Sequence, residues 1–433
     1  MLVRRGRSFC NLVSSSRSFT CSRALRSDVL SFGDSSHGAL GFGGGDAYEP
    51  TCIPDLPPDI SAIAAGHYHS LAVTHGGEVW AWGRDQEGQL GRGLPSPRDS
   101  WNQPKRVEGL EQVRVRAAFA SGVISSAIGD DGSLWVWGKS KRGQLGLGKG
   151  VTEAMVPSRV EALAGEEIVK VALGWGHALA QTRNGKLFGW GYASEGRLGQ
   201  LGESLETSFS SSITSRTNGD SSSMLEVAEK MVLEGIEKEK NMPIIWEPLL
   251  VQELHGCKVS DVACGLDHSL VICCDGTLLS GGSNIYGQLG RVTEGSKMLP
   301  VNISFEPISI SSGLGHSLAV CQIPSPEVAG EATSVLTWGW NLTSQLGRQG
   351  PENFPALVHM LDGERPVSVS GGRAHSIVLT SKREVWAWGS GRNGRLGLGS
   401  SVDEAEPALV DCLTGFEVQQ VVAGFDHTLV LSD

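Results

Sequence analysis

The sequence has no uninterrupted run of about 18 apolar residues, which argues against a membrane-spanning helix. Charged residues make up only 19% of the chain and apolar residues 40%, so the composition predicts a folded core and excludes a disordered chain. Proline occupies only 18 positions, which excludes a proline-rich linker or a collagen. We therefore expect a folded protein of another kind.

Residue patterns typical of disulfide frameworks, metal sites and active sites are also missing. The nine cysteines are odd in number and include no Cys-x-x-Cys pair. Cys264, Cys273 and Cys321 fall in or beside predicted strands, where a free thiol behaves as a small hydrophobic group. There is no Gly-x-x-x-x-Gly-Lys-Ser/Thr loop and no nucleophile elbow between a strand and a helix. The prediction is a protein without catalytic residues, cofactor or metal, and therefore not an enzyme.

Acidic residues are absent from residues 1–27, although the chain as a whole has a net charge of −11. The same segment carries seven serines and six arginines, which are Arg4, Arg5, Arg7, Arg17, Arg23 and Arg26. This composition is typical of an organelle transit peptide. We predict a mitochondrial transit peptide over residues 1–27, because of the arginine density. The alternatives are a chloroplast transit peptide, or a basic tail that binds nucleic acid or an acidic partner.

Glycine is in excess, at 58 of 433 positions, near double the ordinary share of about 7%. Much of it belongs to a pattern found seven times, in which a strand ends in Trp-Gly and is followed by four residues and then Gly-Gln/Arg-Leu-Gly. The copies are residues 31–41, 81–91, 136–146, 189–199, 280–290, 337–347 and 387–397. Five keep the full Trp-Gly pair, namely Trp82-Gly83, Trp137-Gly138, Trp190-Gly191, Trp338-Gly339 and Trp388-Gly389. These tryptophans are predicted to pack within and between repeats.

A second pattern, Gly-x-x-His followed by an apolar strand, precedes most copies of the first pattern. Its first copy begins at Gly66. Its histidines are His69, His177, His268, His316, His375 and His427. In a seventh copy, Gly122 to Ser125, the frame is kept and the histidine is lost. Because one histidine recurs per repeat, we predict a buried residue hydrogen-bonded to nearby backbone rather than a metal ligand or a catalytic base.

Repeats of about 50 residues that contain hairpins are typical of a β-propeller, since a single small sheet cannot bury both of its faces. The chain begins with a Trp-Gly-type strand, residues 29–33, that has no preceding histidine strand. It ends with a histidine strand, residues 426–431, that has no following Trp-Gly strand. Pairing the two completes a seventh blade and removes an exposed edge. The predicted fold is an all-β seven-bladed propeller over residues 28–433.

These two patterns, in fixed order at a fixed period, resemble the regulator-of-chromosome-condensation repeat family. The resemblance covers residues 29–433 except for one insertion, and it implies a seven-bladed propeller. Together with the arginine-rich leader, it suggests an organellar branch, similar to a plant mitochondrial member associated with intron splicing of a complex I transcript.

One interval between repeats is long, with 91 residues from Gly191 to Gly282 against 50 to 57 elsewhere. We assign the excess to an insertion over residues 200–245, composed of a flexible serine-rich linker and a helix over Met224–Lys240. That helix either packs on its own blade or is offered to a partner.

The residues between Gly and His differ among the repeats and are expected on one rim of the propeller. Aromatic, acidic and arginine side chains there suit a protein-binding surface. The predicted partner-binding residues are Tyr68, Trp175, Asp267, Arg373, Phe425 and Asp426. In family members that exchange nucleotide on a small GTPase, acidic residues lie at this motif position, so the resemblance implies such a role for Asp267 and Asp426. Those members also have one enlarged Trp-Gly loop, whereas every loop here has four residues, which disfavours exchange.

Direct nucleic-acid binding is disfavoured by charge, since removal of the six leader arginines takes the net charge from −11 to −17. The predicted function is a non-enzymatic, monomeric protein-interaction platform in the mitochondrial matrix. Its expected partners are RNA-processing or splicing proteins that support complex I biogenesis, with RNA contacted indirectly. The alternative is a guanine-nucleotide exchange factor for an organellar small GTPase.

Overall fold

A computed structural model describes residues 27–200, 242–252, 254, 256–292, 297–323 and 332–433. Within these residues, 28 strands form seven four-stranded antiparallel sheets, each a blade of a propeller. The innermost strand of each blade lines a central channel. These innermost strands pack against one another from blade to blade around a closed ring. The predicted seven-bladed β-propeller is confirmed.

The strands are numbered in chain order, and six of the blades are formed by four consecutive strands. Blade 1 combines β1 (Asp28–Gly33) and β2 (Ala47–Cys52) with the last two strands of the chain. Blade 2 contains β3 (Ile60–Ala65), β4 (His69–Thr74), β5 (Val79–Gly83) and β6 (Lys105–Arg106), and blade 3 contains β7 (Val115–Ala120), β8 (Ile124–Gly129), β9 (Leu134–Lys139) and β10 (Glu153–Arg159). Blade 4 contains β11 (Ile168–Leu173), β12 (His177–Thr182), β13 (Leu187–Tyr192) and β14 (Ile244–Leu250), and blade 5 contains β15 (Val259–Cys264), β16 (His268–Cys273), β17 (Leu278–Gly282) and β18 (Leu299–Pro300). Blade 6 contains β19 (Glu306–Ser312), β20 (His316–Ile323), β21 (Ala332–Gly339) and β22 (Ala356–Leu357), blade 7 contains β23 (Pro366–Gly371), β24 (His375–Thr380), β25 (Val385–Gly389) and β26 (Glu404–Leu409), and β27 (Val418–Ala423) and β28 (His427–Ser432) complete blade 1.

Helical structure in the described residues is limited to single 3-10 turns between strands. They are Arg98–Ser100, Glu161–Leu163, His359–Leu361, Arg392–Gly394 and Asp411–Leu413. No helix in this described part is long and apolar enough to span a bilayer.

The hydrophobic core lies between the blades rather than within any one of them. Second strands such as β4 and β16 are buried at all six positions, because a neighbouring blade covers each face of the sheet. One core cluster, for example, joins Leu71 and Val73 of blade 2 to Val115 and Trp137 of blade 3. Each blade therefore depends on its neighbours for stability.

Strand β1 closes the ring by pairing antiparallel with β28, from Asp28 opposite Ser432 to Gly33 opposite His427. Blade 1 thus takes two strands from each end of the described chain, in the order β27, β28, β1, β2. The pairing expected from the two incomplete repeats is confirmed.

The tryptophans of the Trp-Gly pairs connect each blade to the one before it. Five are completely buried, and each indole Nε1 donates to the carbonyl of the second residue of the preceding Gly-x-Leu-Gly motif at 2.7–2.9 Å. The pairs are Trp82 with Ala39, Trp137 with Gln89, Trp190 with Gln144, Trp338 with Gln288, and Trp388 with Gln345. The predicted packing between blades is confirmed, with a hydrogen bond added to it.

The last glycine of the motif lies directly against this tryptophan. At Gly91, which has φ +66°, an added Cβ would approach Nε1 of Trp137 to 2.9 Å and the Val107 side chain equally closely. A side chain there would meet both backbone strain and a steric clash, so this turn requires glycine.

Two predicted segments fall largely outside the described residues. All but Ser27 of the predicted transit peptide over residues 1–27 lies outside them. The same holds for residues 201–241 of the insertion predicted over 200–245, while Ile244 and Ile245 begin β14.

Candidate functional site: the upper face of the propeller

Two sets of loops lie on one face of the propeller, here called the upper face: the Gly-x-x-His turns and the four-residue loops after Trp-Gly. In six of the seven blades, all but blade 3, the N–H of the first residue of the four-residue loop donates to the carbonyl of the residue before the histidine strand. Examples are Arg84 to Tyr68 at 2.9 Å and Trp340 to Gly315 at 2.8 Å. The upper face is therefore a continuous surface held by backbone hydrogen bonds.

Beneath this face, the six histidines form links between successive blades. Each Nε2 lies 2.8–3.3 Å from the hydroxyl of the residue that follows the histidine position in the next blade. The pairs are His427–Ser70, His69–Ser125, His177–Ser269, His268–Ser317, His316–Ser376 and His375–Thr428. The predicted burial is correct, but the Nε2 partner is a side-chain hydroxyl of the next blade rather than nearby backbone.

The protonation state of these histidines follows from their partners. The Ser70 hydroxyl donates its single hydrogen to the carbonyl of Ala39 at 2.9 Å, so it accepts from Nε2 of His427. Burial lowers the pKa of His69 and His268 to about 3, and that of His316 and His427 to about 4. The ring histidines are thus neutral with the proton on Nε2, which makes them structural links rather than acid–base groups.

In blade 3, the histidine position lies one residue earlier than the sequence interpretation placed it. Ile124 pairs with Gly138, as His69 pairs with Gly83, so Ile124 and not Ser125 occupies the histidine position. The alignment of Gly122 to Ser125 with Gly-x-x-His was therefore wrong, because the turn starts at Ser121, whose N–H donates to the Ile124 carbonyl. The next blade has Ala178 in place of the hydroxyl residue, so an apolar pair replaces the hydrogen-bonded pair.

This natural replacement predicts strong coupling within the hydrogen-bonded pairs. We expect Ser317→Ala alone to cost about 1–3 kcal/mol, because it leaves the buried Nε2 of His268 without a partner. The double variant with His268→Ile recreates the blade 3 arrangement. Its loss in the free energy of unfolding should be at least about 1 kcal/mol smaller than the sum of the losses in the two single variants. Urea unfolding of the wild type, both single variants and the double variant measures this coupling. Strictly additive losses would contradict the proposed pairing.

Five of the six predicted rim residues meet at the mouth of the central channel: Tyr68, Trp175, Arg373, Phe425 and Asp426. They surround His67, and with it they form what we call the mouth cluster. The His67 ring stacks between Phe425 at 4.4 Å and Trp175 at 5.2 Å, and Tyr68 meets Phe425 edge-on at 5.7 Å. The Arg373 guanidinium lies 4.9 Å from the Phe425 ring.

The mouth cluster closes the upper end of a channel cavity of about 410 Å³ that the inner strands line. Burial, together with His427 and Arg373, lowers the pKa of His67 to about 3, so the central ring of the stack is uncharged. Because the aromatic faces contact one another, they are already partly occupied by neighbouring side chains.

The two acidic residues on the rim are ion-paired within the chain. Asp426 contacts Nη1 of Arg395 at 2.6 Å and Nη2 of Arg373 at 2.8 Å, and its side chain is only 14% exposed. Asp267 lies away from the mouth cluster and contacts Nη1 of Arg197 at 2.6 Å. Neither carboxylate is an unpaired acid presented to a partner.

An exposed apolar group lies on the same face, on the loops of blades 5 and 6, and we call it the apolar patch. It consists of Ile285, Tyr286, Trp340 and Leu342. Ile285 is 81% exposed and Leu342 is 80% exposed. The rings of Tyr286 and Trp340 stack at 5.3 Å and join the two loops.

A family model described as the RCC1-like domain matches residues 28–430, which is nearly all of the described propeller. This chain belongs to the RCC1-like family. The family resemblance inferred from the repeated patterns is confirmed.

Several curated proteins align over most of this chain. The ultraviolet-B receptor UVR8 of Arabidopsis thaliana is 29% identical over 89% of this chain and 78% of its own length. The secretion-regulating guanine nucleotide exchange factor of Bos taurus is 31% identical over 73% of this chain and 65% of its own length. Prp20p of Saccharomyces cerevisiae, solved in work on its binding to Gsp1p and histones, superposes with a TM-score of 0.73. It is 21% identical over 94% of this chain and 92% of its own, which supports the fold.

The ion pairs of this RCC1-like propeller have a simple sequence pattern that the rim analysis missed. Gly-Arg-Leu-Gly occurs in blades 4 and 7, through Arg197 and Arg395. The next blade then has Asp before its histidine, as Asp267 and Asp426. Where the motif carries Gln, the corresponding residue of the next blade is Val, Gly or Ala. Comparing adjacent repeats, rather than single turns, would have predicted both pairs.

The apolar patch was also missed, because the four-residue loops were compared by length and not by composition. Their third position is Ser36, Gln86, Lys141, Ser194 and Arg392 in five blades, but Ile285 and Leu342 in blades 5 and 6. Two apolar residues at an exposed position in adjacent repeats indicate an interaction surface.

Proposed function

We propose that this RCC1-like propeller is a non-catalytic interaction platform that binds a protein partner through the apolar patch on its upper face. The observation that carries the proposal is the exposure of Ile285 and Leu342, at 81% and 80%, on adjacent loops. Exposed apolar side chains that are neighbours in space gain free energy when a partner removes them from water.

The architecture of the patch favours binding at a low entropic cost. The loops of Ile285 and Leu342 are fixed by backbone hydrogen bonds, from Ser283 to Asp267 at 2.9 Å and from Trp340 to Gly315 at 2.8 Å. The Tyr286–Trp340 stack joins the two loops into one rigid unit. Aromatic side chains held in this way are typical anchors of protein interfaces, since little mobility is lost on association.

The proposed cellular role is support of organellar RNA processing, in particular intron splicing of a complex I subunit transcript in the mitochondrial matrix. The acid-free, arginine-rich segment over residues 1–27 and the resemblance to an organellar branch of the family support this assignment. The net charge beyond that segment, −17, favours contact with RNA through a protein partner.

Affinity capture of the tagged full-length protein from purified mitochondria, followed by mass spectrometry and RNA sequencing, tests this role. We expect recovery of RNA-processing proteins, and loss of the co-purified RNA when those proteins are removed by a high-salt wash. Recovery of RNA by the purified propeller alone would contradict the indirect mode of contact. Absence of RNA-processing proteins would contradict the assigned process.

Guanine-nucleotide exchange is the second candidate, because a relative named as an exchange factor is 31% identical to this chain. The ion pairing of Asp267 and Asp426 weighs against it. We expect the protein not to accelerate release of labelled GDP from mitochondrial small GTPases. Acceleration that is lost in Asp267→Asn and kept in Leu94→Asp, a change at an exposed residue of blade 2, would favour exchange instead.

A further inference from the structure

Two thiols and a carboxylate meet on the lower face of blade 5, opposite the face that carries the apolar patch. Cys257 precedes β15, Cys273 ends β16, and Asp275 lies in the turn that follows. The Cys257 thiol donates to Oδ2 of Asp275 at 3.4 Å, and the ligand atoms of all three residues lie within 4.8 Å of one another. Cys273 is only 2% exposed, whereas Asp275 lies at the surface, so the cluster has a buried side and an open side.

Backbone pairing holds the cluster in place. Val259 is the register partner of Cys273, and the N–H of Cys274 donates to the Lys258 carbonyl at 2.7 Å. The carboxylate of Asp275 accepts from the N–H of Thr277 at 2.9 Å, which orients it in the turn. The three ligand atoms are therefore brought together by strand pairing and turn geometry, which are rigid supports for a binding site.

The equivalent turns in other blades are closed by a threonine. In blades 2, 4 and 7, the residue at the register position of Cys273 is a threonine whose hydroxyl accepts a backbone N–H across the turn at 2.9–3.3 Å. These threonines are Thr74, Thr182 and Thr380. Blade 5 thus has a thiol at a position where three other blades have a hydroxyl that closes the turn.

The position of Cys257 is also distinctive. In blades 4 and 7 the equivalent residues are Glu166 and Glu364, and each forms an ion pair of 2.6 Å with a lysine of the turn. In blade 5 the turn presents the carboxylate of Asp275 instead of a lysine, and the connector presents a thiol. The contact between a cation and an anion in the sister blades is therefore replaced by one carboxylate and two thiols, and the thiols also become anions when they bind a metal.

We propose that Cys257, Cys273 and Asp275 bind one thiophilic divalent cation such as zinc. Two thiolates and one carboxylate are ligands that zinc accepts, and water fills the fourth tetrahedral position on the open side. The sequence predicted no zinc site because its cysteines lack Cys-x-x-Cys spacing, but strand pairing brings together ligands 16 residues apart.

A metal accounts for this chemistry better than a disulfide does. The Cys257 thiol donates to the Asp275 carboxylate, and Cys273 is only 2% exposed. Thiol–disulfide exchange needs a thiolate, which this carboxylate disfavours, whereas a divalent cation stabilises all three anions. Binding releases two thiol protons per ion, so the affinity should fall about 100-fold for each pH unit below neutrality.

The test uses the reduced full-length protein, titrated with cobalt(II) as a spectroscopic probe and with zinc chloride as the competitor. We expect a thiolate-to-cobalt charge-transfer absorption that saturates at one ion per chain and disappears when zinc is added. The affinity for cobalt should fall about 100-fold for each pH unit below neutrality. Zinc should also raise the Tm in a concentration-dependent manner. A protein without this absorption and with a Tm that does not respond to zinc would overturn the proposal.

Variants identify the ligands. Cys273→Thr reproduces the residue of blades 2, 4 and 7, so we expect it to fold and to lose the charge-transfer absorption. Asp275→Asn should lower the affinity about tenfold or more, while Cys412→Ser, at an exposed thiol of another blade, should bind as the wild type does. Undiminished absorption in Cys273→Thr, with a normal Tm, would exclude the proposed ligand set.

Discussion

Lowering the pH from 7 to 5 is expected to reduce the free energy of unfolding by about 7 kcal/mol through four of the ring histidines alone. These are His69 and His268, with pKa values of about 3, and His316 and His427, with values of about 4. The unfolded chain takes up protons near pH 6.5, whereas the folded protein does not do so until about pH 4. Stability is therefore fully present above pH 6.5 and is lost as the pH falls towards 4.

Urea unfolding at pH 7, 6 and 5 measures this loss. Each buried histidine contributes a slope of about 1.4 kcal/mol per pH unit, so His69→Gln should reduce the total slope by that amount. His359→Gln, at a side chain that is 77% exposed, is the control for replacing a histidine outside the buried ring. An unfolding midpoint that stays constant between pH 7 and pH 5 would show that these histidines are not buried as neutral links.

Asp426→Ala is expected to destabilise the protein by about 3–5 kcal/mol, because it leaves the buried Arg395 guanidinium without its carboxylate. The Arg395 side chain is 1% exposed and lies 2.6 Å from Asp426. Asp267→Ala should cost less, since Asp267 is 38% exposed and its partner Arg197 also has Glu195 at 3.7 Å. Thermal and urea unfolding of the two variants test this order.

The control for this prediction comes from the repeats themselves. Gln345 of blade 6 is followed in blade 7 by Ala374, at the positions that correspond to Arg395 and Asp426. The double variant Arg395→Gln/Asp426→Ala reproduces that combination and should recover at least half of the stability lost in Asp426→Ala. If Asp426→Ala were as stable as the wild type, the carboxylate would not be a structural partner of Arg395, and a role in binding would regain support.

The fold was predictable because its determinants repeat along the chain. Trp-Gly recurs in five of the seven blades, and Gly-x-Leu-Gly and Gly-x-x-His each recur in six, so a single deviation does not obscure the pattern. The unmatched strands at residues 29–33 and 426–431 also showed how the ring closes, through the pairing of β1 with β28. Repetition therefore specified both the number of blades and the closure.

The details of the upper and lower faces were less predictable, because they depend on contacts between blades. The Ile124–Ala178 pair and the Arg395–Asp426 pair each join residues that are more than 30 positions apart. Analysis of one repeat at a time assigns Ser125 to the histidine position and treats Asp426 as an exposed acid. Only the register of neighbouring strands shows which residues meet.

The central claim is that the apolar patch binds the partner, and paired surface variants test it most directly. Affinity capture from purified mitochondria would compare the wild type with Ile285→Asp/Leu342→Asp and with Leu94→Asp, which changes an equally exposed leucine (81%) on blade 2. All three should have the same Tm, because the substituted side chains are exposed. We predict that the double variant recovers at least tenfold less partner than the wild type, while Leu94→Asp recovers as much as the wild type. Equal recovery by all three proteins would contradict the account.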